Sequence, residues 1–411
     1  AHPLNFRFLL NAVLAVAVKV VETRARYAVI PVVLVLMGLL VAEASRITIG
    51  DATPGSPILW EDASFNRDSA LINARYPGTE QMFVVLEGDE QDAMKRPDVL
   101  AWMQAFQRRM ERLPQIGGSV SLADIVVDVR RNLYEGNPRY RELGATQIEN
   151  GELISFYMQG AAPDDLAQFA DPVFQNGSVV MYFRDHKGET LRQAIYQIRQ
   201  YIKEHPLEDV NVRLAGGSLG IVAAVNDILL SDQIESISLA LLVVIISCLA
   251  VYRSSASGMF FIVPVLISNV VTFAYMAWQG IGMSINTLPV VALGIGLGVD
   301  YAFYIVDSIK ETLEKEPTID PMDAIRQALF SAGRGVLLTS VTLAAGVLLW
   351  SLSSLRFQAE MGTLIGLWLL VSAFTSLFVM PSLVRVLQPK FIFGGRTENA
   401  DETERLARLT H

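Results

Sequence analysis

One acid, Asp300, stands in the middle of an apolar, glycine-rich run from Asn286 to Asp307, and no other charged residue interrupts that run before Asp307. A carboxylate at the centre of a membrane helix costs roughly 2.5–3.5 kcal/mol on insertion scales, so it marks a functional group facing a bundle interior or a wet cavity. For an acid, the chemistry is the handling of protons or cations. Residues three, four or seven apart share a helix face. That spacing puts Asp300, Phe303, Tyr304 and Asp307 on one stripe, with Gly296 and Leu293 above it. Tyr304 and Asp307 are candidates for a proton path to the end of the span, although an acid so near the membrane edge can equally be a solvated charge. Asp300 lies nine residues from Ile309, about 13 Å at 1.5 Å per residue. Nine residues into the next span, from Gly333, is Thr342. Thr339, Ser340 and Thr342 are therefore candidate hydroxyl partners of the carboxylate at the same depth. Each can instead bond its own backbone four residues back. Thr375 and Ser376 of the last span lie at a similar level. Gly294, Gly296 and Gly298 allow close helix approach; with no strand–turn–helix context they are not a dinucleotide fingerprint.

These residues need spans to hold them. The chain has 411 residues, 52% hydrophobic and 18% charged, against about 25% charged in a soluble domain. Six stretches approach the roughly 20 residues a crossing needs: 27–44, 235–252, 258–278, 286–309, 333–352 and 360–384. Between the first two lies a mixed-charge insertion. The expected organisation is an interfacial amphipathic helix at 1–26, a first span at 27–44, an external domain at 45–234, a five-helix bundle at 235–390 and a tail at 391–411. Arg24, Arg26, Arg253, Lys310, Lys315, Arg326, Arg334, Arg385 and Lys390 fall on one side of this layout, whereas the opposite short loops carry only Arg356 and Glu360. The positive-inside rule then places both termini in the cytoplasm and the insertion outside.

The insertion alternates strand and helix patterns: strands at 82–87, 179–184 and 210–215, and helices at 97–113 and 189–205. The segment 134–150 reads as a loop or short helical excursion. A Gly216-Gly217 turn opens a helix toward the second span. The fold class expected is a membrane α-helical bundle, six spans in a 1 + 5 layout, with an α/β domain of ferredoxin-like type between spans one and two. The net charge of −9 comes without a basic patch interleaved with aromatics, so nucleic acid is not an expected partner. Cys248 is the single cysteine, and His2, His186, His205 and His411 are scattered outside the spans. Neither a Cys-based metal cluster nor a histidine relay is expected in the membrane, and no external nucleophile constellation suggests an enzyme.

The run Gly294–Glu311 resembles the fourth-helix proton-relay motif of RND transporters, nearest the hydrophobe/amphiphile efflux and MMPL branch. Gly333–Ser354 is similar to the helix that follows it there. Gly50–Pro57 and Asn66–Glu80 resemble the segments leading into the external porter domain, and Ala215–Gln233 the segment leading out. The resemblance implies a proton-motive-force-driven exporter of hydrophobic or lipid-like substrates in a bacterial inner membrane. Asp300 and Tyr301 would be its proton-binding pair, the proton its coupling ion without further cofactor, and the porter domain periplasmic. The family has two such repeats and this sequence holds one, looking more like the second. A second repeat is therefore an implied partner, as an upstream half, a separate chain or a homodimer mate. Membrane lipids and periplasmic accessory proteins are further implied partners. The same layout also serves Sec-type protein-translocation auxiliaries and lipid- or sterol-sensing modules, which stand as alternatives.

Overall fold

A computed structural model describes residues 6–394 apart from 163 and 215. Residues 1–5, most of the 391–411 tail and Ala215 lie outside the described residues. The chain divides into a helical unit, up to Thr48 and from Leu230 onward, and an α/β unit, Ile49–Leu229.

The α/β unit contains α3 (Ser64–Arg75), β1 (Glu80–Gly88), α4 (Pro97–Met110), β2 (Ile116–Val120), α5 (Leu122–Leu133), α6 (Gln147–Gly160), β3 (Asn176–Phe183), α7 (Gly188–Glu204), β4 (Val210–Leu214) and the start of α8 (Gly217–Tyr252). The four strands form one sheet in the order β2-β3-β1-β4, and every neighbouring pair is antiparallel. Thus β1 and β2 run the same way with β3 between them, and β3 and β4 run the same way with β1 between them. Alternate residues of β1, Met82, Val84 and Leu86, are buried, as a period-two strand with one packed face requires. They meet a core that includes Trp102, Phe106 and Tyr201 from α4 and α7. Each such side chain contributes roughly 1.5–3 kcal/mol of burial.

Composition hid β2, whose sequence is Ile-Gly-Gly-Ser-Val. Gly117 is a steric necessity: a Cβ there would overlap the Pro77 carbonyl oxygen. The segment 134–150, expected as a loop or short helical excursion, is irregular through residue 146 apart from a 3-10 turn at Pro138–Tyr140, and α6 starts at Gln147. Thr146 caps that helix by accepting from the Glu149 N–H at 3.2 Å.

The helical unit contains α1 (Phe6–Glu22), α2 (Ala25–Ala44), the rest of α8, α9 (Ser255–Gln279), α10 (Leu288–Lys315), α11 (Pro321–Leu348), α12 (Arg356–Phe374), α13 (Met380–Leu387) and α14 (Lys390–Phe393). Among the described residues, six helical stretches are long and apolar enough to cross a membrane: α2, and α8 to α12 with α13 continuing the last. Helices suit that setting because their backbone groups are satisfied internally. No residue of α2 is fully buried; a helix apolar on all sides, packed on α9 with one side and open on the others, is suited to lipid. Helix α1 buries Leu14, Ala17 and Val21 in the bundle core and pairs Glu22 with Arg326 at 3.1 Å.

The helix expected to open at the Gly216-Gly217 turn does so, and it runs without a break into the span expected at 235–252, as one helix of 36 residues, about 54 Å. The last span is not one regular helix, because α12 gives way to a π turn at Thr375–Val379 before α13. Pro381 lacks the N–H that would bond the Leu377 carbonyl, which gives a local reason for the wider turn.

Candidate functional site

Helix α10 has two unlike faces. Its inward face buries Gly294, Ile295, Gly298, Tyr301, Ala302 and Ile305. The indole of Trp368, from α12, lies against Gly294 and Gly298, and a Cβ on Gly298 would overlap its ring. The indole N–H donates to Asn269 Oδ1 of α9 at 3.1 Å. One turn along, the Ser372 hydroxyl donates to the Gly298 carbonyl at 2.8 Å. The three helices are thereby locked through a small glycine surface, a large ring and two hydrogen bonds between helices.

The outward face carries Leu293, Gly296, Leu297, Asp300, Tyr304 and Asp307, all exposed in this chain. Helix α11 presents Gly335, Thr339, Thr342 and Gly346, also exposed. A Cβ placed on Gly296, Gly335 or Gly346 would meet no atom within 4 Å. Asp300 was expected to face a bundle interior or a wet cavity. Within these six spans it faces outward, because the inward side of α10 is filled by Trp368. Asp300 has no hydrogen bond or ion pair among the described residues.

The other candidate residues are placed as follows. Tyr301 follows Asp300 but is buried on the opposite side, 3% exposed, with its hydroxyl unpartnered among the described residues. Thr339 donates to the Gly335 carbonyl at 2.9 Å, Thr342 to the Leu338 carbonyl at 2.7 Å and Ser340 to the Leu337 carbonyl at 3.1 Å. These hydroxyls are thus engaged by their own helix, and Ser340 is buried away from the outward face. Tyr304 is exposed. Asp307 accepts from the Tyr252 hydroxyl of α8 at 3.4 Å, and Lys310 lies over the Tyr252 ring at 5.1 Å. The stripe from Asp300 therefore ends in a polar contact between α10 and α8.

Sequence reasoning overlooked Trp368, Asn269 and Ser372. The available signal was an Asn beside a Ser in the middle of the third span, since a mid-membrane amide generally bonds across helices. Asn269 Nδ2, Ser268 Oγ, Tyr301 OH and Ser376 Oγ are buried without a hydrogen-bond partner among the described residues. Thr375 bonds the Ser372 carbonyl at 2.9 Å. Chemically, the inward face supplies hydroxyls and an amide, which hydrogen-bond but do not titrate near neutral pH; the outward face supplies the carboxylates. Among the described residues no group of three or more His, Cys, Asp or Glu could hold a metal ion.

Comparison with known proteins bears on this arrangement. A putative membrane protein of Methanocaldococcus jannaschii, MJ1562, is 24% identical over 286 residues, covering 64% of this chain and 73% of that protein. The hopanoid transporter HpnN of Rhodopseudomonas palustris is 28% identical over 136 residues, covering 30% of this chain and 15% of that protein. Residues 57–406 match the MMPL family, a stretch taking in most of the α/β unit and every span after α2. The chain therefore belongs to the MMPL family of transporters, within the RND superfamily.

Proposed function

We propose that this chain is one half of a proton-motive-force-driven exporter of hydrophobic or amphiphilic, lipid-like substrates, working as a proton antiporter in a bacterial inner membrane. The observation that carries the reading is the outward face of α10 and α11. It sets a mid-span carboxylate among open glycines and threonines. A second six-span unit packed there would bury Asp300 and close against Gly296, Gly335 and Gly346, as small residues favour. That unit is a second copy of this chain or another repeat. Asp300 would alternate between a charged state and a protonated one free of most of the desolvation penalty. Each proton crossing the membrane supplies about 2.3 kcal/mol per 100 mV. Thr339 and Thr342, exposed on α11, are read as its hydroxyl neighbours, and Tyr304 and Asp307 would extend the path toward the cytoplasm. Tyr301, from the packed side, would act through the helix rather than as a direct ligand of the same proton.

The α/β unit is read as a periplasmic, ferredoxin-like porter domain; its two interleaved β–helix–β units and four-stranded antiparallel order support that reading. The named activity of the matched hopanoid transporter supports a lipid-like substrate. The test is Asp300→Asn in proteoliposomes holding a pH gradient, with lipid export as the readout. Loss of gradient-driven export is expected; export near the wild-type rate sinks the reading.

A further inference from the structure

The α/β unit begins at Ile49, and its first residues, 49–51, are held by close backbone contacts. The Gly188 N–H, at the start of α7, donates to the Asp51 carbonyl at 3.0 Å, and Arg192 donates to the Ile49 carbonyl at 3.2 Å. A Cβ on Gly188 would overlap the Ile49 carbonyl oxygen. On the other side, a Cβ on Gly50, whose φ is +87°, would crowd the Asn226 amide of α8. The same entry segment borders a cleft of about 560 Å3. Helix α3 lines that cleft with Phe65, Asp68 and Ile72, and α8 lines it with Val222.

Beside Asp51 lies His186, only 7% exposed. Its Nε2 is 3.9 Å from Asp51 Oδ2 and its Nδ1 is 3.6 Å from Glu80 Oε1 of β1, ion-pair distances too long for hydrogen bonds. The charge on the ring therefore decides the strength of both contacts. Glu80 is tied in turn to α8, accepting from the Ser218 hydroxyl at 3.1 Å. The charged groups facing the ring are Glu80 from β1, Asp51 from the entry segment and Asp185 from the ring's own loop. Arg192 of α7 is paired with Glu189 at 2.6 Å, and Asp68 of α3 is exposed at the cleft. Burial works against charging the imidazole, but Glu80, then Asp51 and Asp185, outweigh it and hold His186 above its ordinary pKa. The neighbouring His186 holds Glu80 below the usual carboxylate value, against burial.

We propose that His186 is a proton-operated latch on the cleft: charged, it clamps the entry segment at Asp51 to β1 at Glu80 and, through Ser218, to α8. Neutral, it leaves two partly buried carboxylates without the charge that offset them, and carboxylates in that position are driven toward water. Asp51 belongs to the segment and Glu80 to the middle of the unit's sheet, so the segment is the part that moves. It lifts from the start of α7 and widens the cleft that Asp51 borders. The direction follows from the proton. The latch is fully closed below the ordinary histidine pKa of about 6.5 and weakens as pH rises through the higher value of the closed state.

The test is hydrogen exchange of the full chain in amphipol from pH 5.5 to pH 8.5, read by mass spectrometry and corrected for the pH dependence of intrinsic exchange. The reporting peptides cover 46–56 and 184–192; the second contains the Gly188 N–H, whose bond to Asp51 reports closure directly. Protection in both should fall by roughly threefold or more across that range, while a reference peptide from α4 stays within about twofold. His186→Asn should show the low protection at every pH. Asp51→Asn keeps the histidine but removes one of the charges that raise its pKa, so its fall should be smaller and centred at lower pH. That variant carries the test should His186→Asn lose protection throughout the unit. Wild-type protection that does not change with pH overturns the latch, as does a wild-type fall that persists in His186→Asn or is unshifted in Asp51→Asn. The measurement needs neither gradient nor substrate, so its outcome is independent of the export reading.

Discussion

The two faces of α10 are built from the same glycine-rich stretch and do opposite things. Gly294 and Gly298 are small because Trp368 occupies the space above them. Gly296, between them in sequence, meets nothing within 4 Å. The packed face is settled by sterics and by two hydrogen bonds between helices. The open face holds the acid that can titrate. One helix thus anchors the bundle with one side and leaves a carboxylate open on the other.

Several substitutions probe the contrast, the strongest first. Asp300→Asn should abolish gradient-driven export, a loss on the order of 100-fold or more, as for removal of a proton-transferring group. Thermal melting should stay close to wild type, since the side chain is exposed and makes no hydrogen bond or ion pair among the described residues. A large drop in melting temperature would show that Asp300 belongs to the packing after all. Gly298→Val should be the mirror image. Its added bulk meets the Trp368 ring, and overpacking of this kind costs about 1–3 kcal/mol, read as a lower melting temperature. Gly296→Val should leave the melting of the isolated chain within about 0.5 kcal/mol of wild type while impairing export; equal destabilisation by the two valines would erase the distinction between the faces. Trp368→Phe keeps most of the ring but strips Asn269 of its partner, and an orphaned buried polar group costs about 1–3 kcal/mol.

The smallest effect is expected away from the spans, in the pH dependence of stability. His186 has a raised pKa when folded, so its contribution is fully present below the unfolded value of about 6.5 and fades as pH rises through the folded value. Glu80 has a lowered pKa, so its contribution is present above its unfolded value of about 4.3 and is lost as pH falls through the folded one. Melting of His186→Gln against wild type should therefore differ most near pH 5–6 and converge in alkali. Asp300→Asn should keep the wild-type profile, because this titration belongs to the α/β unit.

Much of the frame was legible in the residues. Long apolar stretches marked the spans, and β-branched and aromatic alternation marked β1, β3 and β4. Amphipathic spacing marked α4 and α7. What escaped has identifiable causes. β2 is short, with glycine at two of its five positions, so it has no side-chain pattern to read. The π turn depends on Pro381, whose effect lands four residues earlier in the chain. The threonines of α11 each bond their own helix, an outcome that residue type and spacing had left open.

The sequence by itself determined that a carboxylate lies at mid-span, at which depth, and on which stripe of its helix, because helical pitch converts spacing directly into position. It could not determine which side of that helix looks inward. That was decided by the tertiary structure. Trp368 needs a glycine surface and an amide partner, and it finds them on Gly294, Gly298 and Asn269, turning Asp300 to the outside. The choice depends on the fit between residues about 70 to 100 positions apart in the chain. The same holds for the cleft at His186, where a loop, two helices, a strand and a lone histidine meet only because the sheet brings them together.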